Sequence, residues 1–416
     1  MIKRDVLPNG VRIVTEKVDT VQSASLGIWV GVGARDESDP LRGISHVIEH
    51  MLFKGTEKRS AQQIADEIDT VGGYLNAFTD KEYTCYYAKV LSEYIDVAVD
   101  VLSDMFLSSV IEPSELRREQ NVILEEIKRH EDQPDDLVHD VFFQTLWPTH
   151  VLGKSVIGTS QTVASFTRDD LRGYMRKRYT PDVIVVSAAG NLEHEQVVEM
   201  VTARFGGLTG SRADWREPDA DPAATLDTTF VNKPVEQVHV VMGVPGFAQR
   251  DDRRYILSVI DTVMGGGMSS RLFQEIREKR GLAYSVGSYA SSYREGGVFA
   301  VYAGTSPETA GDVEAIVREE FEKIVAHNIS DGELIRAKNQ IRGSLVMSQE
   351  SMSSRMMRMG KNELVHDRVV PIDEIMEKVL AIGLDDVHDV AKELFGGGEF
   401  AMAQVGPVEE QQGNAS

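Results

Sequence analysis

Gly43-Ile44-Ser45-His46-Val47-Ile48-Glu49-His50-Met51-Leu52-Phe53-Lys54-Gly55-Thr56 is the stretch on which the reading of this 416-residue chain turns. Ile44, Val47, Ile48, Met51 and Leu52 recur at intervals of three and four, the spacing of one buried helix face. Residues four apart on a helix share a face, so His46 and His50 can offer two imidazoles to one Zn²⁺. Glu49, three after His46, faces the same point without having to ligate. This is the inverted form of the commoner zinc-protease motif. Two histidines leave a tetrahedral zinc in need of one more protein ligand, with a position open for water. Arg117-Arg118-Glu119-Gln120-Asn121-Val122-Ile123-Leu124-Glu125-Glu126 offers it, since Glu119 and Glu126 lie two helical turns apart on one face. Val122, Ile123 and Ile127 are expected toward the core. Spacing alone leaves Glu119, Glu125 and Glu126 as alternatives.

Outward from this segment the chain reads as α+β. Val11–Val14 and the alternating Leu26, Ile28, Val30 and Val32 have strand patterns. Ser60-x-x-Gln63 forms a capping box before a helix carrying Ile64, Ile68 and Val71, which Gly72-Gly73 ends. Tyr83–Val90 reads as a strand. Helices are expected over Ser92–Phe106, from Pro113 to about His130 and from about Asp135 to Leu146, with helix-strand-helix on to Phe205.

Between Gly206 and Ala224 the sequence turns Gly-, Asp- and Pro-rich and loses apolar periodicity. Beyond it the first half recurs: Ile111-Glu112-Pro113-Ser114-Glu115-Leu116 as Ile329-Ser330-Asp331-Gly332-Glu333-Leu334, and Asp169-Asp170-Leu171 as Asp385-Asp386-Val387. The offsets, 329 − 111 = 218 and 385 − 169 = 216, nearly agree, as for a duplicated unit. The expected organisation is a zinc-bearing domain over 1–210, a linker over 211–224 and a homologous domain over 225–416, each a sheet packed with helices. In the second copy Ser258-Val259-Ile260-Asp261-Thr262-Val263-Met264 aligns with the His46 segment but has Ser258 and Thr262 for the imidazoles, so one zinc per chain is expected. The tail Glu409–Ser416 is polar and expected to fray.

Composition narrows the partners. Lys plus Arg number 44 against 66 Asp plus Glu, a net charge of −22, which repels nucleic acid and anionic membranes and favours basic peptides. The single cysteine, Cys85, excludes a disulfide framework and any four-cysteine metal site. No apolar run reaches the roughly 20 residues of a membrane span. The N-terminal segment lacks the pattern of a signal peptide, so the expected location is the cytoplasm.

The Gly43–Thr56 stretch resembles the active-site segment of the pitrilysin/insulinase family of zinc peptidases, especially bacterial relatives of the mitochondrial processing peptidase β-subunit, and the similarity extends over essentially the whole chain. The resemblance implies Glu126 as third zinc ligand beside His46 and His50, Glu49 as general base, and Glu119 as a further required acid. It implies a substrate-binding edge strand at Asn76-Ala77, in Gly73-Tyr74-Leu75-Asn76-Ala77-Phe78-Thr79. Ser269 to Ser285 resembles the segment that supplies Arg277 and Tyr284 to the substrate backbone and oxyanion, and Gly265-Gly266-Gly267 resembles a shortened glycine-rich loop. Asp136 and Asp140 match recognition acids for a substrate arginine. The implied protein is half of a clamshell, a zinc endopeptidase for unstructured or presequence-like peptides that works as a homodimer, with a heterodimer of paralogues as the alternative. Two further readings belong to the same resemblance: a non-catalytic core subunit of this fold, and a half enzyme needing a paralogous partner.

Overall fold

Local chemistry fixes the elements that frame the His46 segment. A computed structural model describes residues 1–214 and 222–407; residues 215–221 of the expected linker and the tail from 408 lie outside the described residues. The first copy holds six strands, β1 (Ile2–Val6), β2 (Arg12–Lys17), β3 (Ser23–Val30), β4 (Tyr74–Thr79), β5 (Thr84–Leu91) and β6 (Ile184–Gly190), in the sheet order β1-β2-β6-β3-β5-β4. Only β2 and β6 run parallel. Against the sheet pack α1 (Ile44–Leu52) and α3 (Ile95–Ser108), with α2 (Ala61–Thr70) packed against both α3 and β4. The expected capping box is formed: Ser60 N–H donates to Gln63 Oε1 at 2.8 Å and Gln63 N–H to Ser60 Oγ at 3.2 Å. In α1, Ile44, Val47, Ile48, Met51 and Leu52 are wholly buried, as their spacing requires. The long α4 (Pro113–Asp132) and α5 (Pro134–Leu146) follow.

Among the described residues the second copy repeats the order β2-β6-β3-β5-β4 with five strands, and its sheet has no counterpart of β1. β7 (Thr228–Asn232), β8 (Val238–Gly246), β9 (Ala283–Ser292), β10 (Gly297–Thr305) and β11 (Ala401–Gly406) lie in the order β7-β11-β8-β10-β9. β7 and β11 are the parallel pair, as β2 and β6 are, and the other neighbours are antiparallel. The sequence repeats fall on equivalent helices. Pro113 begins α4 and Asp331 begins the helix Asp331–Ser348, while Asp169-Asp170 and Asp385-Asp386 occupy the first turns of Arg168–Arg178 and Leu384–Phe395.

Two segments depart from a simple division of the chain at 211–224. One compact unit comprises Met1–Ile127, Ser155–Pro218 and Val346–Val370, and the other Lys128–Lys154, Asp219–Leu345 and Pro371–Ser416. The reason is apolar packing. The α5 residues Val138, Phe142, Phe143 and Leu146, with Trp147, bury against Val241, Val298, Ala300 and Val405 of the second sheet. The helix Met352–His366 buries Met356 and Met359 against Val14, Trp29, Cys85 and Val185 of the first. That helix approaches its sheet closely: a Cβ on Gly360 would lie 2.1 Å from Trp29 Nε1. Among the described residues no helix is long and apolar enough to cross a membrane.

Candidate metal centre

The zinc motif sits on a helix whose start is held by a buried acid. Glu37 accepts the N–H groups of Gly43 (2.7 Å) and Ser45 (2.8 Å), occupying donors that the first turn of α1 leaves without helical partners. Burial pushes the Glu37 carboxyl up to about 8, against these hydrogen bonds.

One turn on, His46 and His50 converge with α4. His46 Nε2 lies 3.7 Å from Glu126 Oε1, and His50 Nε2 lies 3.7 Å from Glu126 Oε2. Among the described residues, these three form the one group of three or more His, Cys, Asp or Glu side chains whose ligand atoms all lie within 4.8 Å of one another. At 3.7 Å no hydrogen bond forms. Nor is the His46 contact an ion pair, because burial, helped by neighbouring His50, pulls the His46 imidazole down to about 3 and leaves it neutral near pH 7. The separation does suit a shared cation: two ligand atoms each about 2.1 Å from a tetrahedral zinc stand about 3.4 Å apart. Two imidazole lone pairs and a carboxylate are also the donor set a catalytic zinc takes, so the residues fit the ion.

The three glutamates stand differently toward the two imidazoles. Glu126 faces both Nε2 atoms, whereas Glu119 Oε2 contacts the other nitrogen of His50, Nδ1, at 3.1 Å. Glu119 Oε1 is paired with Lys54 Nζ at 2.8 Å. Burial raises the Glu119 pKa, but the hydrogen bonds from His50 and Lys54 outweigh it and hold the carboxyl below its usual range. A carboxylate on Nδ1 leaves the Nε2 lone pair free toward Glu126. Glu125 is exposed and outside the cluster. Ile123 and Ile127 are buried as expected, but Val122 is 51% exposed, which corrects its assignment to the core. Val122 lies three and four residues from Glu119 and Glu126, so it shares their face.

Glu49 lies beside the trio, largely buried, and accepts a 2.5 Å hydrogen bond from Thr79 Oγ1 of β4. Burial raises its pKa, the Thr79 bond and His50 oppose this, and Glu126 adds to it, with a net shift upward. In the second copy an acid–hydroxyl pair stands without the imidazoles. Asp261 accepts from Ser288 Oγ at 2.5 Å, while Thr262 Oγ1 turns back onto the Ser258 carbonyl at 2.8 Å.

The remaining expected residues fall as follows. Asn76 and Ala77 lie on β4, the terminal strand of the first sheet. Arg277 and Tyr284 belong to the second unit and meet there: the Arg277 guanidinium lies between the rings of Phe273 (4.9 Å) and Tyr284 (4.7 Å), with Tyr284 79% exposed. Arg277 sits in a wide helical turn, Phe273–Glu278, where Lys279 N–H reaches back five residues to the Gln274 carbonyl. Asp136 and Asp140 are on α5, and Asp140 Oδ2 stands 3.9 Å from His130 Nε2. Sequence reasoning passed over Lys54, Thr79 and Glu37. Thr79 shares the face of Leu75 and Ala77, so it had a readable signal, whereas Lys54 lies in the turn after α1, where helical spacing from His50 no longer applies.

Sequence comparison agrees with this architecture. The family model described as insulinase, peptidase family M16, matches residues 12–160, and the one described as the peptidase M16 inactive domain matches 165–341. An uncharacterised zinc protease of Streptomyces coelicolor is 44% identical over 99% of this chain and 91% of its own length, and one of Bacillus subtilis is 43% identical over 98% of each. The fold of a Helicobacter pylori protease superposes with a TM-score of 0.92 at 22% identity, covering 98% of this chain and 99% of its own. A protein from Pseudomonas fluorescens described as a peptidase M16 inactive domain gives 0.91 at 18%, covering 98% of each. The chain belongs to the insulinase family of peptidases, peptidase family M16.

Proposed function

We propose that this protein is a zinc-dependent endopeptidase acting on unstructured peptides, with one metal site per chain held by His46, His50 and Glu126. The observation that carries the reading is the convergence of two imidazole nitrogens, that of His46 held neutral, and a carboxylate, with a second, pKa-raised carboxyl beside them. Zinc bound there supplies a polarised water with its pKa lowered to about 7. Glu49 takes the proton from the attacking water at its carboxylate and returns it to the leaving amine nitrogen, a task suited by a pKa moved up toward neutrality. Glu119, braced by Lys54, orients His50. The peptide adds as a strand to the open edge of β4 beside Asn76 and Ala77, where backbone hydrogen bonds bring affinity with little demand on side chains. Arg277 and Tyr284 act on the substrate backbone and oxyanion, a role suited to a guanidinium and a phenol. Asp136 and Asp140 favour arginine-containing peptides, and the working form is a homodimer.

The test is cleavage of a mixed pool of unstructured peptides by the purified chain. Hydrolysis that stops with a zinc chelator and returns with added Zn²⁺ supports the reading. Unaffected hydrolysis under chelation, or none with stoichiometric zinc bound, overturns it in favour of a different catalyst or a non-catalytic subunit.

A further inference from the structure

The open edge of β4 carries its own hydrogen-bond cap. At the β4–β5 turn Asp80 N–H donates to the Tyr83 carbonyl at 2.8 Å, which sets the alternation along the ladder. Phe78 with Cys85 and Asn76 with Tyr87 are then hydrogen-bonded pairs, and Ala77 with Tyr86 is a non-bonded one. The Ala77 N–H and carbonyl therefore point away from the sheet, into the position where an added strand would pair. That N–H is already taken: it donates to the side-chain Oδ1 of Asn76 at 2.8 Å. The amide is held in place from its other end, because Asn76 Nδ2 donates to the Tyr74 hydroxyl at 2.7 Å. Tyr74, Asn76 and their bonds are solvent-exposed, so the arrangement is reversible.

The duplicated half provides the contrast. Its terminal strand, β9, has Ser288, Ala290 and Ser292 facing outward, since Tyr293 N–H donates to the Gly296 carbonyl at 2.7 Å and fixes the alternation. There the chain itself fills the edge. The Ser292 carbonyl accepts from Gln249 Nε2 at 3.0 Å, and the Gly265 backbone presses so closely on Ser288 that a Cβ at 265 would lie 2.1 Å from its nitrogen. An unpaired edge invites pairing with any passing strand and has to be managed. β9 is covered by the Gly265 backbone and the Gln249 side chain, both from outside the strand, whereas β4 is guarded by one of its own side chains.

We propose that Asn76 is a latch on the peptide-binding edge, positioned by Tyr74, which a substrate strand displaces in order to reach the Ala77 N–H. This rests on the reading of β4 as the strand-addition edge. The latch selects for segments that present a complete backbone ladder, since a partial one cannot replace the hydrogen bond it breaks. It also keeps the edge from pairing with other copies of the chain.

The test uses the full chain carrying Glu49→Gln, which binds without turnover, and a labelled, unstructured alanine- and serine-rich peptide. Asn76→Ala should tighten the peptide Kd about fivefold, the equivalent of one neutral hydrogen bond no longer broken on binding. Tyr74→Phe should tighten it by less. Independently of any peptide, amide exchange at Ala77 in the free protein should be slower than at outward-facing Leu75 and should speed up in Asn76→Ala. A Kd that is unchanged or weaker in Asn76→Ala, or an Ala77 amide that exchanges as fast as that of Leu75, overturns the latch. Ala77→Pro separates the two layers. An edge strand tolerates proline where the N–H faces solvent, so this variant should fold and keep zinc yet lose the peptide. Undiminished binding by Ala77→Pro would overturn the β4 reading itself.

Discussion

At the scale of the residue, Glu119 and Glu126 are assigned two tasks from one helix face by the proposed function. They are two turns apart, and both carboxylates approach His50, but from opposite sides of the imidazole: Glu126 at Nε2 (3.7 Å) and Glu119 at Nδ1 (3.1 Å). A ligand and an orienting partner respond differently to the same substitution. Glu126→Gln removes one of three donors and should leave the protein without stoichiometric zinc after dialysis. Glu119→Gln keeps all three donors and should retain the ion with affinity about 10–100-fold weaker, as for other partners one step removed from a metal. Zinc content and chelator competition read both. The reverse order of effects would exchange the two roles. The histidines and Glu49 were legible in the sequence because a helix converts their spacing into a shared face. The choice among three glutamates was not, because spacing gives the face and leaves open which oxygen meets which nitrogen.

At the scale of the element, the framing helices were legible wherever a local rule governs. Ser60 and Gln63 cap α2 through bonds that involve four consecutive residues, and Pro113 opens α4 for reasons contained in the first turn. The partners of α5 and of Met352–His366 were not legible. An amphipathic pattern says that Val138, Phe142 and Leu146, or Met356 and Met359, must bury against something, and is silent on which sheet provides it. The close approach of the second helix gives a sharp expectation. Trp29 is fully buried and its Nε1 donates to Ser187 Oγ at 2.9 Å, so it has little room to yield to a methyl group on Gly360. Gly360→Ala should lower stability by about 1–3 kcal/mol through overpacking, read as a drop in the denaturation midpoint with the zinc content of the folded protein unchanged. An unshifted midpoint would mean that this helix is free to back away from the sheet.

At the scale of the whole molecule, two sheets share the strand order from β2 and β7 onward, and the described residues hold one candidate metal centre. In the second copy Asp261, aligned with Glu49, also accepts from a strand hydroxyl, that of Ser288, and both imidazoles are replaced by hydroxyl side chains that satisfy themselves on nearby backbone. In the proposed reaction the chemistry depends on a single carboxyl. Glu49 is placed to move a proton and makes no part of the converging trio, so metal binding and turnover should separate at this residue. The most direct measurement is zinc content and peptide hydrolysis determined on the same preparation of the wild type and of Glu49→Gln. One zinc per chain in both proteins, with hydrolysis lower by about 10²-fold or more in the variant, is the expected result. Near-normal hydrolysis by Glu49→Gln, or loss of its zinc, would contradict the account.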